Sequence, residues 1–324
     1  MTGALNPTIL GPEDTDPKWR WDREIPAPGR MGVDFETRVD FRRLQKYRLG
    51  RAQAALEASD CGALLLFDVN NIRYVSGTKI GEWERDKLCR FALLTPGNEP
   101  VVWDFGSAAV HHRLYCDWLT PSSCRAGVLG MRGTIPPSFG LMKAHAEEIM
   151  ALLREAGAHK TPVGVDLAET AMMFALQDAG LQVVDGQQIM LDAREIKNID
   201  EIVLLNQAAA MVDGVYHMIW EELKPGAREN DIVAKANKML YEMGSDDVEA
   251  INAISGERCN PHPHNFTDRL LRPGDQAFFD ILQSFNGYRT CYYRTFNVGR
   301  ATPSQNDAYI RCREWLDKAI EAIR

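Results

Sequence analysis

The sequence predicts a mixed α/β fold organised in two domains. Short apolar runs typical of strands alternate with stretches of helical periodicity, and a helix-capping signal begins a second series of elements near residue 198. The chain has 324 residues, which corresponds to about two domains of ordinary size. Its composition, 45% apolar and 25% charged, is that of a soluble globular protein and excludes collagen-like, mucin-like and wholly disordered classes.

The charge and the cysteine content limit which classes of partner and which cellular compartment we expect for this protein. The net charge of −8 comes from 37 Lys and Arg against 45 Asp and Glu, and the positive residues are scattered, so we expect no nucleic-acid partner. The cysteines number seven and form no CxxC pair, which favours a reducing, cytoplasmic location. The N-terminal segment lacks an apolar signal region, and no apolar run is long enough to cross a membrane. We therefore expect neither export nor a membrane span.

The first part of the chain is predicted to be an arm followed by an α/β domain. Residues 1–41, rich in Pro, Gly and charge, predict an extended arm. Its Trp19 and Trp21 either pack on the protein's own surface or reach across a dimer interface, where tryptophan is enriched. The domain spans residues 42–190. Its predicted elements are a helix at 42–58, a strand at 62–67, a hairpin of 90–95 and 99–103 around Pro96-Gly97, a helix at 142–156, a strand at 163–165, a helix ending near 178 and a strand at 181–184.

A second domain is predicted over residues 191–324. Asn198 is placed to cap a long helix, with Glu201 at the capping-box position three residues later, and Lys224-Pro225-Gly226 ends that helix. Its apolar face is predicted to comprise Ile202, Leu205, Ala209, Val212, Tyr216 and Ile219. The elements that follow are a helix at 229–243 stopped by Gly244, strands at 247–254, 277–282 and 287–296, and a helix from 303 to the end.

Reactive side chains are densest between residues 255 and 269. This segment contains His262 and His264, and the prolines Pro261 and Pro263 restrict the backbone around the first histidine. We therefore expect both imidazoles on a stiff loop, beside a strand that carries Asp280. The simpler alternative is that the histidines only bind backbone groups at the surface.

Asp280 stands in an otherwise apolar strand and requires a partner, because a buried carboxylate is costly unless it is paired or hydrogen-bonded. The segment 287–296 is close enough in sequence to return as the hairpin strand beside it, and it supplies Arg294, Cys291 and three tyrosines. A purely structural ion pair between Asp280 and Arg294 is the alternative to a functional role.

Several ordered segments resemble one known superfamily. The chain is similar to the creatinase/aminopeptidase P/prolidase superfamily over roughly residues 42–324, and this resemblance implies a creatinase-like N-terminal domain followed by a catalytic domain of the pita-bread fold. The segments that carry it are Asn70–Gly77, Asp192–Glu201, Leu223–Gly226, His264–Arg269, Arg272–Asp275 and Gly287–Phe296. Within the superfamily, Pro261–Arg269 and Tyr288–Phe296 look most like the DddP-type dimethylsulfoniopropionate lyases.

The sequence departs from the superfamily pattern at two places. Its metallopeptidases have a second aspartate eleven residues after the first, where this chain has Cys291 after Asp280. Cysteine bridges hard metal ions poorly, so by resemblance the metal ligands reduce to Asp280 and Cys291. Creatinase works without metal through a histidine, which makes His264, or His262, the candidate acid and base. The family's catalytic domain also continues further, with another His and two Glu ligands, so we expect a fragment or a truncated gene product with an incomplete site.

The resemblance implies a lyase that cleaves dimethylsulfoniopropionate into dimethyl sulfide and acrylate. It implies a small zwitterionic substrate, a divalent metal of the iron type and a homodimer, with Arg294 orienting the substrate carboxylate. Aromatic faces hold a sulfonium cation best, and the aromatic candidates are Trp83, Trp103, Tyr288, Tyr292 and Tyr293. The alternatives are an Xaa-Pro metallopeptidase or creatinase-like hydrolase of the same fold, and an inactive truncated relative that only dimerises and binds.

Overall fold

The computed structural model describes residues 39–81, 88–127 and 130–323, which divide into two compact units at residue 202/203. Most of the predicted arm, with Trp19 and Trp21, lies outside the described residues. The elements of the N-terminal unit are α1 (Phe41–Glu57), β1 (Ala63–Leu66), α2 (Val69–Ser76), β2 (Phe91–Leu94), β3 (Val101–Asp104), α3 (Gly106–Tyr115), β4 (Cys124–Ala126), α4 (Leu141–Glu155), β5 (Val163–Val165), α5 (Thr170–Asp178), β6 (Val183–Asp185) and α6 (Gln187–Glu195).

The six strands of this unit form one mixed sheet in the order β4-β3-β2-β1-β5-β6. The predicted hairpin is confirmed, because β2 and β3 pair antiparallel with Phe91 opposite Trp103. Strand β1 is buried along its whole length, as its continuous apolar run predicts, because helices cover both faces of the sheet. Four elements of this unit escaped prediction: α2, α3, β4 and α6. The helix α3 has a weak apolar pattern, and β4 is too short for periodicity to identify.

The C-terminal unit contains two long helices, a three-stranded antiparallel sheet and a last helix. Its elements are α7 (Ile199–Glu222, which begins before the division), α8 (Glu229–Glu242), β7 (Asp247–Ser255), a 3₁₀ turn (Gly256–Cys259), β8 (Gln276–Phe285), β9 (Tyr288–Asn297) and α9 (Pro303–Glu321). The predicted capping box at the start of α7 is confirmed: the Asn198 side chain accepts from the Glu201 N–H, and the Glu201 carboxylate accepts from the Asn198 N–H, each at 2.9 Å.

Strands β8 and β9 form the hairpin that the sequence predicts. They pair antiparallel without a register shift, from Gln276 opposite Asn297 to Phe285 opposite Tyr288. The connection is Asn286-Gly287, and both residues have positive φ, 51° and 83°, as a tight two-residue hairpin turn requires. This turn fixes the register, so it also fixes which side chains of β9 face those of β8.

The buried face of α7 is rotated relative to the predicted one. Ile202 is 43% exposed, whereas Leu204, Ala208 and Met211 are fully buried. The predicted Val212, Tyr216 and Ile219 are buried as predicted, so the difference is confined to the first half of the helix, where α7 carries apolar residues on more than one face. By length and hydropathy alone α7 could also cross a membrane, but core helices pass the same test and 39% of its most apolar stretch is buried inside the protein. The expected absence of a membrane span stays a prediction.

Candidate active site

The candidate site is built on the face of the three-stranded sheet where Asp280 lies. Asp280 is opposite Asn252 of β7 and opposite Tyr293 of β9, so the three side chains form one row across the sheet. Cys291 lies two residues before Tyr293 on the same strand and therefore on the same face. The pairing of the strands thus brings an amide, a carboxylate, a phenol and a thiol together.

Hydrogen-bond donors surround the Asp280 carboxylate, which is only 2% exposed. One oxygen accepts from the Asn252 amide at 3.2 Å and the other from the Cys291 thiol at 3.6 Å, and Tyr293 lies opposite Asp280 on β9. Burial and then the Asp280 charge raise the pKa of the Cys291 thiol and that of the Tyr293 phenol. Both groups therefore favour their protonated forms, and each Asp280 oxygen has one hydrogen-bond donor.

Both predicted histidines lie over the same end of this face. The imidazole rings of His262 and His264 have centroids 4.9 Å apart. The His262 ring contacts Phe278 edge-on at 5.1 Å and lies 6.3 Å from the Tyr293 ring. Both histidines are exposed, as groups that meet a substrate must be. The structure therefore brings His262, His264, Asp280, Cys291 and Tyr293 together.

The structure does not bring Arg294 or Tyr288 to this cluster. Successive residues of a strand point to opposite faces, so Arg294 and Tyr288 lie on the face of β9 that packs against α7. There the Arg294 guanidinium stacks on Tyr292 at 4.6 Å and approaches the Asp213 carboxylate at 3.7 Å. An ion pair with Asp280 is ruled out by this placement.

The tryptophan candidates also lie elsewhere. Trp103 is fully buried in the N-terminal core, where it stacks on Phe91 at 4.6 Å, so the prediction that it offers a face to a ligand is wrong. Trp83 lies outside the described residues.

Sequence reasoning missed three residues on the Asp280 face, namely Asn252, Phe278 and Arg289. Arg289 precedes Cys291 by two positions and is the cation that this face of β9 offers in place of Arg294; it also contacts the Glu249 carboxylate at 3.2 Å. These residues could have been found from the sequence, because every second residue of a strand lies on the same face and Asp280 marks which face is used. The prediction instead chose residues by their nearness in sequence.

The residues present do not fit the divalent metal implied by resemblance. Across residues 39–81, 88–127 and 130–323, no group of three or more His, Cys, Asp and Glu side chains lies close enough to hold a metal ion. Asp280 and Cys291 supply two donors, whereas protein metal sites need three or four.

Comparisons with known proteins match both units. Residues 203–324 match the model of metallopeptidase family M24, and residues 48–196 match the creatinase/prolidase N-terminal domain. The dimethylsulfoniopropionate lyase DddP of Roseovarius nubinhibens is 24% identical over 281 residues, which are 83% of this chain and 62% of that protein. The probable dipeptidase PepE of Mycobacterium tuberculosis is 30% identical over 286 residues, 86% of this chain and 70% of that protein.

Solved structures show the same fold. The prolidase from Thermococcus sibiricus aligns with a TM-score of 0.65 at 22% identity, and a dipeptidase from Pyrococcus horikoshii with 0.65 at 20%. Each comparison covers 86% of this chain and 72% of the other. The chain spans 62% of the length of the lyase and between two thirds and three quarters of the dipeptidase and these structures.

Proposed function

This chain belongs to the creatinase/aminopeptidase P/prolidase superfamily, metallopeptidase family M24, and from that premise we propose that it cleaves dimethylsulfoniopropionate by β-elimination. The predicted superfamily and mixed α/β fold class are confirmed. Members of this family are enzymes, both peptidases and lyases, and they use divalent metals. The choice of reaction therefore depends on the side chains around Asp280 rather than on the fold.

The observation that carries the proposal is Cys291 at the place of the second carboxylate. A dinuclear peptidase site uses two carboxylates to hold its pair of metal ions, which activate water and polarise the peptide carbonyl. Here a protonated thiol donates to Asp280 at 3.6 Å instead. Two exposed imidazoles remain beside it as the groups able to move a proton near neutral pH. This donor set suits an elimination, which needs a base and no activated water.

In the proposed reaction an imidazole nitrogen of His264 accepts the proton from the carbon next to the substrate carboxylate. The electron pair of that C–H bond forms the carbon–carbon double bond of acrylate, and the carbon–sulfur pair leaves with dimethyl sulfide. The imidazolium then returns its proton to water, so the step needs no oxidant and no co-reactant. His262 is the alternative base, because its ring is only 4.9 Å from that of His264.

Binding in this proposal uses side chains of the Asp280 face. The rings of Phe278 and Tyr293, whose centroids are 6.0 Å apart, offer aromatic faces to the sulfonium cation. Arg289, rather than the Arg294 expected from sequence, is the guanidinium on this face; to pair with the substrate carboxylate it must leave Glu249 and extend towards Tyr293. Tyr293 is therefore still proposed to bind the substrate, whereas Tyr288 is not.

A second candidate function is dipeptide cleavage, favoured by the 30% identity to the probable dipeptidase PepE. The deciding experiment incubates the purified chain with dimethylsulfoniopropionate and, separately, with Xaa-Pro dipeptides. Dimethyl sulfide in the headspace supports the lyase, and dipeptide cleavage without dimethyl sulfide supports the peptidase. No turnover of either substrate, with no metal found by elemental analysis, supports an inactive relative that binds.

The cytoplasmic location and the homodimer expected from the sequence stay predictions.

A further inference from the structure

We infer that Glu229 is a positioning residue that holds the histidine loop, residues 259–266, in place through Arg258 and Thr267. The inference rests on the proposed function only in that His264 is the base. The role of Glu229 in holding the loop can be measured on the protein without any substrate.

Glu229 is the first residue of α8, and its carboxylate is almost fully buried, with 1% of the side chain exposed. A carboxylate at a helix N terminus is favoured by the helix dipole, but burial is costly unless every lone pair is used. The backbone around it is tied to the strand that leaves the loop, since the Glu229 N–H donates to the Arg269 carbonyl at 3.2 Å and the Asn230 N–H to the Thr267 carbonyl at 3.0 Å. Glu229 therefore stands directly beneath the loop.

Four donors converge on this carboxylate. One oxygen accepts from the Ser255 hydroxyl at 2.7 Å. The other accepts from the Arg258 guanidinium at 2.7 Å and from both the N–H and the hydroxyl of Thr267 at 2.9 Å. Arg258 precedes the loop and Thr267 follows it, so one buried charge ties the two ends of the loop together.

Arg258 extends the connection to the catalytic histidine. Its guanidinium also donates to the Thr267 hydroxyl at 2.6 Å and to the Asn265 side-chain oxygen at 3.1 Å. Asn265 follows His264 directly, and its carbonyl accepts from the Ala253 N–H of β7 at 3.2 Å. The chain of contacts from Glu229 to Arg258 to Asn265 thus ends next to His264. Charge-assisted bonds of this kind fix geometry closely, which proton transfer requires.

A second set of hydrogen bonds, made by Arg269, holds the base of the loop. It is expected to keep the strands paired when the Glu229 charge is removed. Arg269 donates to the Asp275 carboxylate at 2.6 Å, a bond that does not involve Glu229, and to the hydroxyl of Ser255 at 2.9 Å. The Leu271 N–H also donates to the Ala227 carbonyl at 2.8 Å. Loss of the Glu229 charge is therefore expected to free the loop while the strands beneath it stay paired.

The test follows the histidine ring resonances by NMR in Glu229→Gln. Glutamine has one acceptor oxygen where glutamate has two, and it lacks the charge that strengthens the Arg258 bond, so we expect the ring signals of His262 and His264 to shift towards flexible-peptide values and to sharpen. The signals of the other five of the seven histidines should not move. The matched control is Glu257→Gln on the neighbouring 3₁₀ turn, whose carboxylate is 70% exposed and bonds only the outer edge of Arg269. It should leave all histidine signals unchanged.

Asn265→Ala is the second variant, because it cuts only the last contact, at an exposed residue, and leaves no buried charge. We expect it to shift the His264 signal more than the His262 signal. Wild-type histidine signals in Glu229→Gln, or in Asn265→Ala if the first variant does not fold, overturn the inference. In an active enzyme we further expect kcat to fall about tenfold or more with KM little changed. Shifted signals in a protein that releases no dimethyl sulfide contradict the proposed function and leave the positioning role intact.

Discussion

Replacing Asp280 with alanine removes the one acceptor that organises the site. Asn252, 5% exposed, then has a buried amide without its partner, at a cost of about 1–3 kcal/mol in the free energy of unfolding. Tyr293 is 43% exposed, so water can solvate its hydroxyl and its side chain loses little stability. A domain of ordinary stability stays folded after such a loss. We therefore expect a melting temperature lower by several degrees and a protein that still folds.

Dimethyl sulfide release in the same Asp280→Ala variant should fall at least about a hundredfold, because the buried carboxylate is lost from the face over which the two histidines lie. Headspace analysis at equal concentrations of folded protein measures this. Asp213→Ala is the matched control, since that carboxylate is 63% exposed and lies with Arg294 on the other side of the sheet. Asp280→Asn, which keeps an acceptor for Asn252, serves if the alanine variant unfolds. Full activity in a folded Asp280 variant would refute the assignment of the site.

Three further outcomes test other parts of the structure. Arg289→Ala should lower kcat/KM by roughly 10- to 100-fold, the worth of a charge-assisted hydrogen bond, whereas Arg294→Ala should not; the reverse result would restore the sequence-based choice. Burial lowers the pKa of His145 below its ordinary 6.5 despite its bond to Glu148, so the unfolded chain binds the proton more tightly and stability drops as pH falls through 6.5. Urea unfolding at about pH 7.5 and 5.5 should show this loss, and His145→Gln should reduce it. Dialysis against EDTA should leave dimethyl sulfide release unchanged, because the described residues offer only two adjacent metal donors, and recovery of lost activity by added Fe²⁺ would contradict that expectation.

Local patterns in the sequence were sufficient for most of the secondary structure. The helix α1, the hairpin β2–β3 and the capping box of Asn198 and Glu201 each depend on residues close together in the chain. The same holds for the hairpin β8–β9, because its two-residue turn sets the register within a few residues of itself. Nearness in sequence also located the cluster correctly, since the histidine loop and both strands are consecutive.

The sequence alone did not decide which face of each element is used. Alternation offers two faces for β9, one with Arg289, Cys291 and Tyr293 and one with Tyr288 and Arg294, and both carry aromatic and basic residues. The choice is made by α7, because packing of that helix against one face leaves the other for the histidine loop. The same uncertainty displaced the predicted face of α7 itself, which carries apolar residues around more than one side.

The amino-acid sequence by itself therefore determined the superfamily and the order of most elements, and it singled out His262, His264, Asp280 and Cys291, because these depend on short motifs. Only the tertiary structure decided that Asn252, Phe278 and Arg289 join them and that Arg294 does not. It also revealed the buried Glu229 beneath the loop. The physical reason is that strand pairing and burial join residues far apart in the chain, and no local pattern specifies which of two similar faces will be covered.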